Sequence, residues 1–424
     1  MESAQTPVSG KKCETLSGSV LSLLEGSLQA LRENGWPADL YLKKIFRADH
    51  KFGSRDRRFI SQSLFAFYRW HGWLAKTFPA DAPAEQLLLG AFAAEGILPL
   101  TAEVWCGKIN LDPESYRRFF TLDSPERRFD AFTGFPADCS PRDLIPPHFL
   151  PLLASGAETH FLPSLYTRPP VWIRIQKQTD RVLREFAERK ILCEKDPRLP
   201  AAYKLGNHAG INLSLLPSFL DGCFELQDFS SQCIGYAALG SAEGEWWDAC
   251  AGAGGKTLLL ASLLGQKGSV VAGDVREKKM EELHERAVRG GFRNIRLMPF
   301  EKALEGRYDG VLADVPCSSS GRWRRNPEMK LAATESWIRG LTDLQLEILE
   351  KVSRCVRKGG HLIYGTCSVF ECENTGVVRR FLERNPDFEP DEFSYNGQMH
   401  TSLQTFPDEA DCDGAFRARF RRVK

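Results

Sequence analysis

The chain has 424 residues, with 56 Lys and Arg against 55 Asp and Glu for a formal net charge of +1, and is 42% hydrophobic and 26% charged. Such a chain exceeds what one hydrophobic core holds, so two or three soluble globular domains are expected. No apolar run nears the roughly 18 to 20 residues that a bilayer requires, and MESAQTPVSGKKCE has no charged-then-apolar leader pattern, which predicts a cytoplasmic protein with no membrane contact.

Val20, Leu21, Leu24, Leu28 and Leu31 recur at helical spacing, and helices are expected from residue 17 to about 130, within a helical domain over 1–150. Between Lys43 and Lys76 lie nine Lys or Arg against two Asp, interleaved with aromatic residues. A phosphate backbone and unstacked bases would favour that mixture, and also the closing FRARFRRVK, with five basic residues and no acid. Each stretch reads equally as a solvated helix face or a charged tail. From Gly134 to Pro170 the proline-rich PRDLIPP and TRPP mark a boundary. VWIRIQ then predicts a strand, and TDRVLREFAERKI an amphipathic helix opened by a Thr cap, with further strands to Glu225: a small α+β module over 165–225.

From Phe224 onward strands and helices alternate. WWDAC, SVVAGD, YDGVLADVPC and HLIYGTCS read as strands, with a long helix to Arg357 before the last. This alternation predicts an α/β domain over 226–424 with a doubly wound parallel sheet and a ligand at the carboxyl ends of its strands. DACAGAGGKT, at 248–257, joins the first of these strands to a helix. A phosphate-binding Walker loop would need glycine where Cys250 stands, and the dinucleotide pattern G-x-G-x-x-G, begun at Gly252, would need one where Thr257 stands. What remains is a loop of small residues between Asp248 and a second acid, Asp274, which closes the next strand. A carboxylate there suits both ribose hydroxyls of an adenosine and repels phosphate, so S-adenosylmethionine is the expected ligand.

Twelve cysteines without short repeated spacings fit neither a zinc site nor a disulfide framework, so no metal is expected. Two of them, Cys317 in ADVPCSSSG and Cys367 in YGTCS, fall at strand ends of the same sheet. Buried cysteines in apolar strands are usually inert, but two at the ligand-binding edge suggest a thiol site beside the cofactor.

FELQDFSSQ, DACAGAGGKT, GDV at Asp274, LADVPCSSSGRWRRNPE, YGTCSVFECEN and DGAFRARF together resemble the RNA (cytosine-5) methyltransferase family over roughly residues 165–424. GSRDRRFISQSLFAFYRW looks like the NusB-like helical RNA-binding domain of the bacterial ribosomal RNA branch. The resemblance implies a Rossmann-like class I methyltransferase domain preceded by a ferredoxin-like α+β module and an all-α NusB-like domain. It implies that Cys367 is the nucleophile, that Cys317 is the thiol assisting product release, and that Asp314, with Lys256 close by, faces the target cytosine. Cys250, Ala251, Gly252, Ala253, Gly254, Gly255 and Lys256, with Asp274, Arg276 and Asp314, would hold S-adenosylmethionine. Two departures stand out: Ala253 occupies a position usually held by proline, and RLMPFEKAL lacks the adenine-binding aspartate, for which Glu301 could substitute.

Carbon 5 of cytosine is too weak a nucleophile to accept a methyl group until a thiolate adds at carbon 6, and this requires an accessible, stabilised thiolate and an unstacked base. The expected activity is therefore methylation of cytosine in RNA, with small-subunit ribosomal RNA as substrate and a monomeric enzyme. The alternatives are a tRNA methyltransferase, a DNA cytosine-5 methyltransferase using the PC cysteine, and a non-catalytic RNA-binding assembly factor that retains the fold.

Overall fold

The structure is a computed structural model that describes residues 10–424 except 50, 209, 239 and 241. Its contacts divide the chain into two compact units. One runs through residue 151 and adds 162–168 and 323–334; the other holds 152–161, 169–322 and 335–424.

The first unit is helical. Its main helices are Gly10–Asn34, Ala38–Ala48, Ser54–Thr77, Ala84–Glu95, Ala102–Lys108, Pro113–Phe119 and Pro125–Thr133. Local chemistry sets several ends. Asp112 accepts from the backbone N–H groups of Glu114 and Ser115 with Pro113 in the first turn, and Gly96 ends its helix at φ 75°. The core is aromatic, with Trp70, Trp73 and Trp105 fully buried; their indole N–H groups donate to Glu95, the Ser140 carbonyl and the Ser17 hydroxyl. The stretch 323–334, which the sequence alone assigns to the α/β domain, belongs to this unit. Trp323 packs on Phe149, Glu328 accepts from Ala38 N–H, and the buried Lys330 donates to the Arg69 carbonyl at 2.9 Å. Burial pushes the Lys330 ammonium down to about 7.

The second unit contains two sheets that position the site. Strands β1 (Val171–Ile175), β2 (Leu192–Lys195), β3 (Ala202–Gly206) and β4 (Phe224–Leu226) form an antiparallel sheet in the order β2-β3-β1-β4. Its helix covers Thr179–Glu188. Thr179 is the first helical residue and not the cap; Gln178, at φ 52°, precedes it and makes no side-chain cap.

The larger sheet is built from β5 (Gly244–Asp248), β6 (Gly268–Ala272), β7 (Ile295–Leu297), β8 (Tyr308–Asp314), β9 (Val356–Thr366), β10 (Phe388–Pro390), β13 (Ser402–Thr405) and β14 (Ala415–Arg422), while β11 (Phe393–Tyr395) and β12 (Gln398–His400) form a separate hairpin. Its order is β10-β14-β9-β8-β5-β6-β7, with β13 on β14. Strands β5 to β9 pair in parallel, and the chain runs outward in opposite directions from β5 and β8, so the switch point where doubly wound sheets bind ligands lies between these two strands. Neighbouring Trp246 and Trp247 enter different apolar clusters, as strand alternation requires for a sheet covered on both faces.

Three sequence expectations change here. The sheet is mixed, because β14 pairs antiparallel with β9 and in turn with β10 and β13, and FRARFRR is its β14 strand instead of a free basic tail. Arg417 and Arg419 are buried in it; Arg419 pairs with Asp391, and Arg417 lies over the Phe393 and Tyr395 rings. The helix expected to reach Arg357 ends at Ser353, because Val356 already pairs with Tyr308.

Glu225, on β4, is 2% exposed and pairs with both Arg286 and Arg289 of the helix Glu277–Gly290. Removing one partner of a buried ion pair strands the other charge, so Glu225→Ala should lower stability by about 3 kcal/mol, read by equilibrium denaturation. A loss below about 1 kcal/mol would mean that the arginines find other partners.

Candidate active site

The edge of the large sheet that carries the carboxyl ends of β5, β6, β8 and β9 gathers the residues singled out in the sequence. After β5 the chain turns through Cys250, Ala251, Gly252, Ala253 and Gly254 into the helix Gly255–Leu264. Gly252 and Gly254 take φ of 52° and 86°, and a Cβ on Gly254 would come within 2.6 Å of Leu283, so glycine is required there. The turn is pinned by bonds from Ala251 N–H to the Gly273 carbonyl at 3.0 Å and from Gly252 N–H to Asp274 at 2.8 Å, while Arg286 donates to the Ala253 carbonyl. Asp248 is buried under the loop and accepts from the Thr257 hydroxyl at 2.7 Å; burial pushes its carboxyl up to about 7.

Asp274 follows β6 as expected, but its oxygens are already engaged. Besides Gly252 N–H they accept from the backbone, Nε and Nη2 of Arg276 at 2.8 to 2.9 Å. Burial alone would raise this carboxyl, yet the bonds from Arg276 and Gly252 hold it below the usual range. Ribose hydroxyls at Asp274 would therefore have to share it with Arg276. Glu301 is exposed on the turn Phe300–Ala303 that follows β7.

On the other side of the switch point Asp314 ends β8, and Lys256 Nζ donates to it at 2.7 Å. Burial would lower the Lys256 ammonium, but the Asp314 carboxylate overcomes this and raises it. Asp314 lies opposite Gly365 in β9, and this register sets the two cysteines together: Cys317 Sγ is 3.2 Å from Cys367 Sγ, and Cys367 N–H donates to Cys317 Sγ at 3.3 Å. The Cys367 thiol is held below its ordinary value, first by the bond from Cys317 and then, against burial, by Arg322 and Ser319. The Cys317 thiol is pushed well above it by the same shared bond and by burial. Ser319, 3.3 Å from Cys367 Sγ, holds φ 53°, a strained conformation for a residue with a Cβ.

Residues 237–421 match the family described as 16S rRNA methyltransferase RsmB/F. The matched stretch carries Lys256, Asp274, Asp314, Cys317 and Cys367. A ribosomal RNA small subunit methyltransferase B from Cronobacter sakazakii is 34% identical over 267 residues, 59% of each chain. Its namesake from Xanthomonas campestris pv. campestris is 29% identical over 86% of this chain and 88% of its own. For the first curated relatives, the match spans 59% to 64% of their length. The solved structure of PH0851 covers 95% of this chain and 97% of its own with a TM-score of 0.70 at 22% identity, a likeness of fold.

Several residues of the site were not singled out in the sequence: Ser318, Ser319, Ser320, Arg322, Gln345, Glu373 and Asn374. Their signal was the polar run SSS and the pair of residues in CEN, set against apolar strand ends, but nothing in their spacing shows what they bond. In the basic N-terminal stretch, Arg57 donates to the Phe52 carbonyl and lies over Phe46, and Lys44 and Lys51 lie over Trp36 and Phe52. Arg55 and Arg58 are exposed and line a cavity of about 360 Å3 with Phe59, Gln62, Ile97 and Leu98.

If Cys317 lowers the Cys367 thiol by hydrogen bonding to its thiolate, Cys317→Ala must raise it and leave less thiolate at a given pH. A hydrogen bond to a charged group contributes about 1.5 kcal/mol, so alkylation of Cys367 by iodoacetamide at pH 7 should slow roughly tenfold, measured by peptide mass spectrometry. An unchanged rate would show that the two sulfurs do not share a proton.

Proposed function

We propose that the protein is an S-adenosylmethionine-dependent RNA (cytosine-5) methyltransferase whose substrate is small-subunit ribosomal RNA. The observation that carries this reading is the pair Cys317 and Cys367, their sulfurs 3.2 Å apart, beside the Lys256–Asp314 pair. Two sulfurs so arranged suit a reaction that needs one thiolate to attack and one thiol to stay protonated. The family match and the names of the relatives support ribosomal RNA over tRNA.

The cofactor-binding set fits the group. The loop 250–254 presents small residues and two glycines in left-handed conformations, which allow close approach to backbone, and Asp274 stands twenty residues beyond Gly254. Residues 250–256, Asp274, Arg276 and Asp314 would hold it, and when bound it supplies an electrophilic methyl group. Cys367 adds to carbon 6 of the cytosine, and the carbon 5–carbon 6 π pair moves so that carbon 5 becomes nucleophilic as the ring nitrogen accepts a hydrogen bond or proton from the Lys256 ammonium of the Lys256–Asp314 pair. After methylation carbon 5 gives its proton to water, the double bond re-forms as the carbon–sulfur bond breaks, the ring nitrogen returns its proton to the Lys256–Asp314 pair, and the Cys317 thiol assists by hydrogen-bonding the departing Cys367 thiolate. The RNA would reach the site with the base unstacked, and Arg55 and Arg58 are candidates for phosphate contacts elsewhere on the chain. The reading places the protein in the cytoplasm as a monomer.

The two cysteine variants separate this chemistry from its alternatives. Cys367→Ala should abolish methyl transfer and form no covalent RNA complex. Cys317→Ala should attack, transfer methyl and stall, giving a slower band on a denaturing gel that requires S-adenosylmethionine and disappears with nuclease. Trapping only in Cys367→Ala would point to the DNA-type use of the PC cysteine. Trapping in neither, with no methyl transfer by the unmodified protein, would favour an assembly factor.

Asp274→Ala tests the cofactor. Loss of a hydrogen bond from a partly buried carboxylate costs about 1.5 to 3 kcal/mol, so affinity measured by isothermal titration should fall roughly ten- to a hundredfold. Unchanged binding would remove Asp274 from the site.

A further inference from the structure

The cysteine pair rests on a carboxylate that the reaction as described does not use. Glu373, at the end of the turn Glu371–Glu373, is fully buried. Its Oε1 accepts from Ser318 N–H and from Gln345 Nε2, each at 2.8 Å, and its Oε2 accepts from the hydroxyls of Ser318 and Ser368. Ser318 follows Cys317 and Ser368 follows Cys367, so one carboxylate binds the residue after each sulfur. The hold is uneven. Gln345 Nε2 also reaches the Pro316 carbonyl at 2.9 Å, so the Cys317 turn is gripped on both sides, while Glu373 meets the Cys367 turn through Ser368 Oγ. The neighbouring Asn374 holds that second turn, accepting from Thr366 Oγ1 at 2.7 Å and donating to the Ser368 carbonyl at 3.1 Å.

A neutral side chain could cross-link the same hydroxyls without the several kcal/mol that desolvating a carboxylate costs. The charge itself therefore calls for a reason. A negative charge next to Ser318 opposes a second negative charge on Cys317 and acts less on Cys367, whose turn it grips at one point. In the same direction, the charge of Glu373 pushes the Cys317 thiol up, after its bond to Cys367, burial and the charge of Cys367.

Taking Cys367 as the nucleophile, we propose that Glu373 is a positioning residue that fixes the two cysteine turns against each other and, by setting its charge behind Ser318, keeps the proton on Cys317 and leaves Cys367 to attack. Glu373→Gln preserves shape and removes the charge. The full chain is labelled with iodoacetamide at pH 6 to 9 and each cysteine is quantified by peptide mass. In the unmodified protein Cys367 should be labelled ahead of Cys317, and in Glu373→Gln that preference should fall at least about fivefold, with melting temperature and S-adenosylmethionine affinity retained. Glu373→Asp, which restores the charge, should recover most of the preference. Ser318→Ala weakens one tie and should lower the preference at least about twofold; it decides the matter if Glu373→Gln does not fold. An unchanged preference in folded Glu373→Gln, or in Ser318→Ala where that variant stands in, would reduce Glu373 to a structural cross-link. Labelling is read without RNA and without turnover, so an active Cys367→Ala enzyme would overturn Cys367 as the nucleophile while leaving this measurement to stand by itself.

Discussion

The parallel pairing of β8 with β9 sets Asp314 against Gly365, and the site depends on that register. Three residues past Asp314 comes Cys317, and two past Gly365 comes Cys367, so the turns leaving adjacent strands bring two sulfurs to 3.2 Å. A slip of one residue would send each side chain to the opposite face and part them. The same edge receives Lys256 from the helix after β5, because β5 lies on the other flank of β8. The switch point thus provides two half-sites: a glycine loop and an acid on the β5–β6 side, and an ionisable sulfur pair on the β8–β9 side.

Buried carboxyl groups are the material from which this edge is made. Asp248, Glu225 and Glu373 are each at most 2% exposed, and each is matched to donors chosen by position: a Thr hydroxyl, two arginines, and a set of hydroxyl, amide and backbone groups. Such groups add little net stability compared with apolar packing, but they admit few alternative arrangements. That trade suits loops whose atoms must stay fixed to a few tenths of an ångström while exposed to solvent on one side. The helical unit uses the same device in Arg69, Glu95 and Lys330, all nearly buried, with Arg69 Nε 3.2 Å from the Glu95 carboxylate.

The two basic stretches show how composition misleads when geometry is absent. FRARFRRVK looks like a cationic tail, yet strand alternation carries Arg417 and Arg419 into the interior, where aromatic rings and Asp391 receive them. In the N-terminal stretch, Lys44, Lys51 and Arg57 lie over aromatic rings of their own unit, while Arg58 is exposed. Charge counts along a sequence do not distinguish a cation held by the fold from one offered to a partner.

The alternation of apolar runs with helical periods, the glycine loop, the acid at Asp274 and the cysteines at two strand ends were all legible in the sequence, because each depends on local spacing and on the backbone conformations that glycine alone adopts freely. These features determined the α/β architecture and named both halves of the site. Tertiary structure decided the rest. The antiparallel place of β14, the membership of 323–334 in the helical unit, the grip of Arg276 on Asp274 and the four bonds of Glu373 join residues by contacts that no local pattern encodes. Glu373 reaches back 55 residues to Ser318, and such a bond exists only after both strands have taken their places in one sheet.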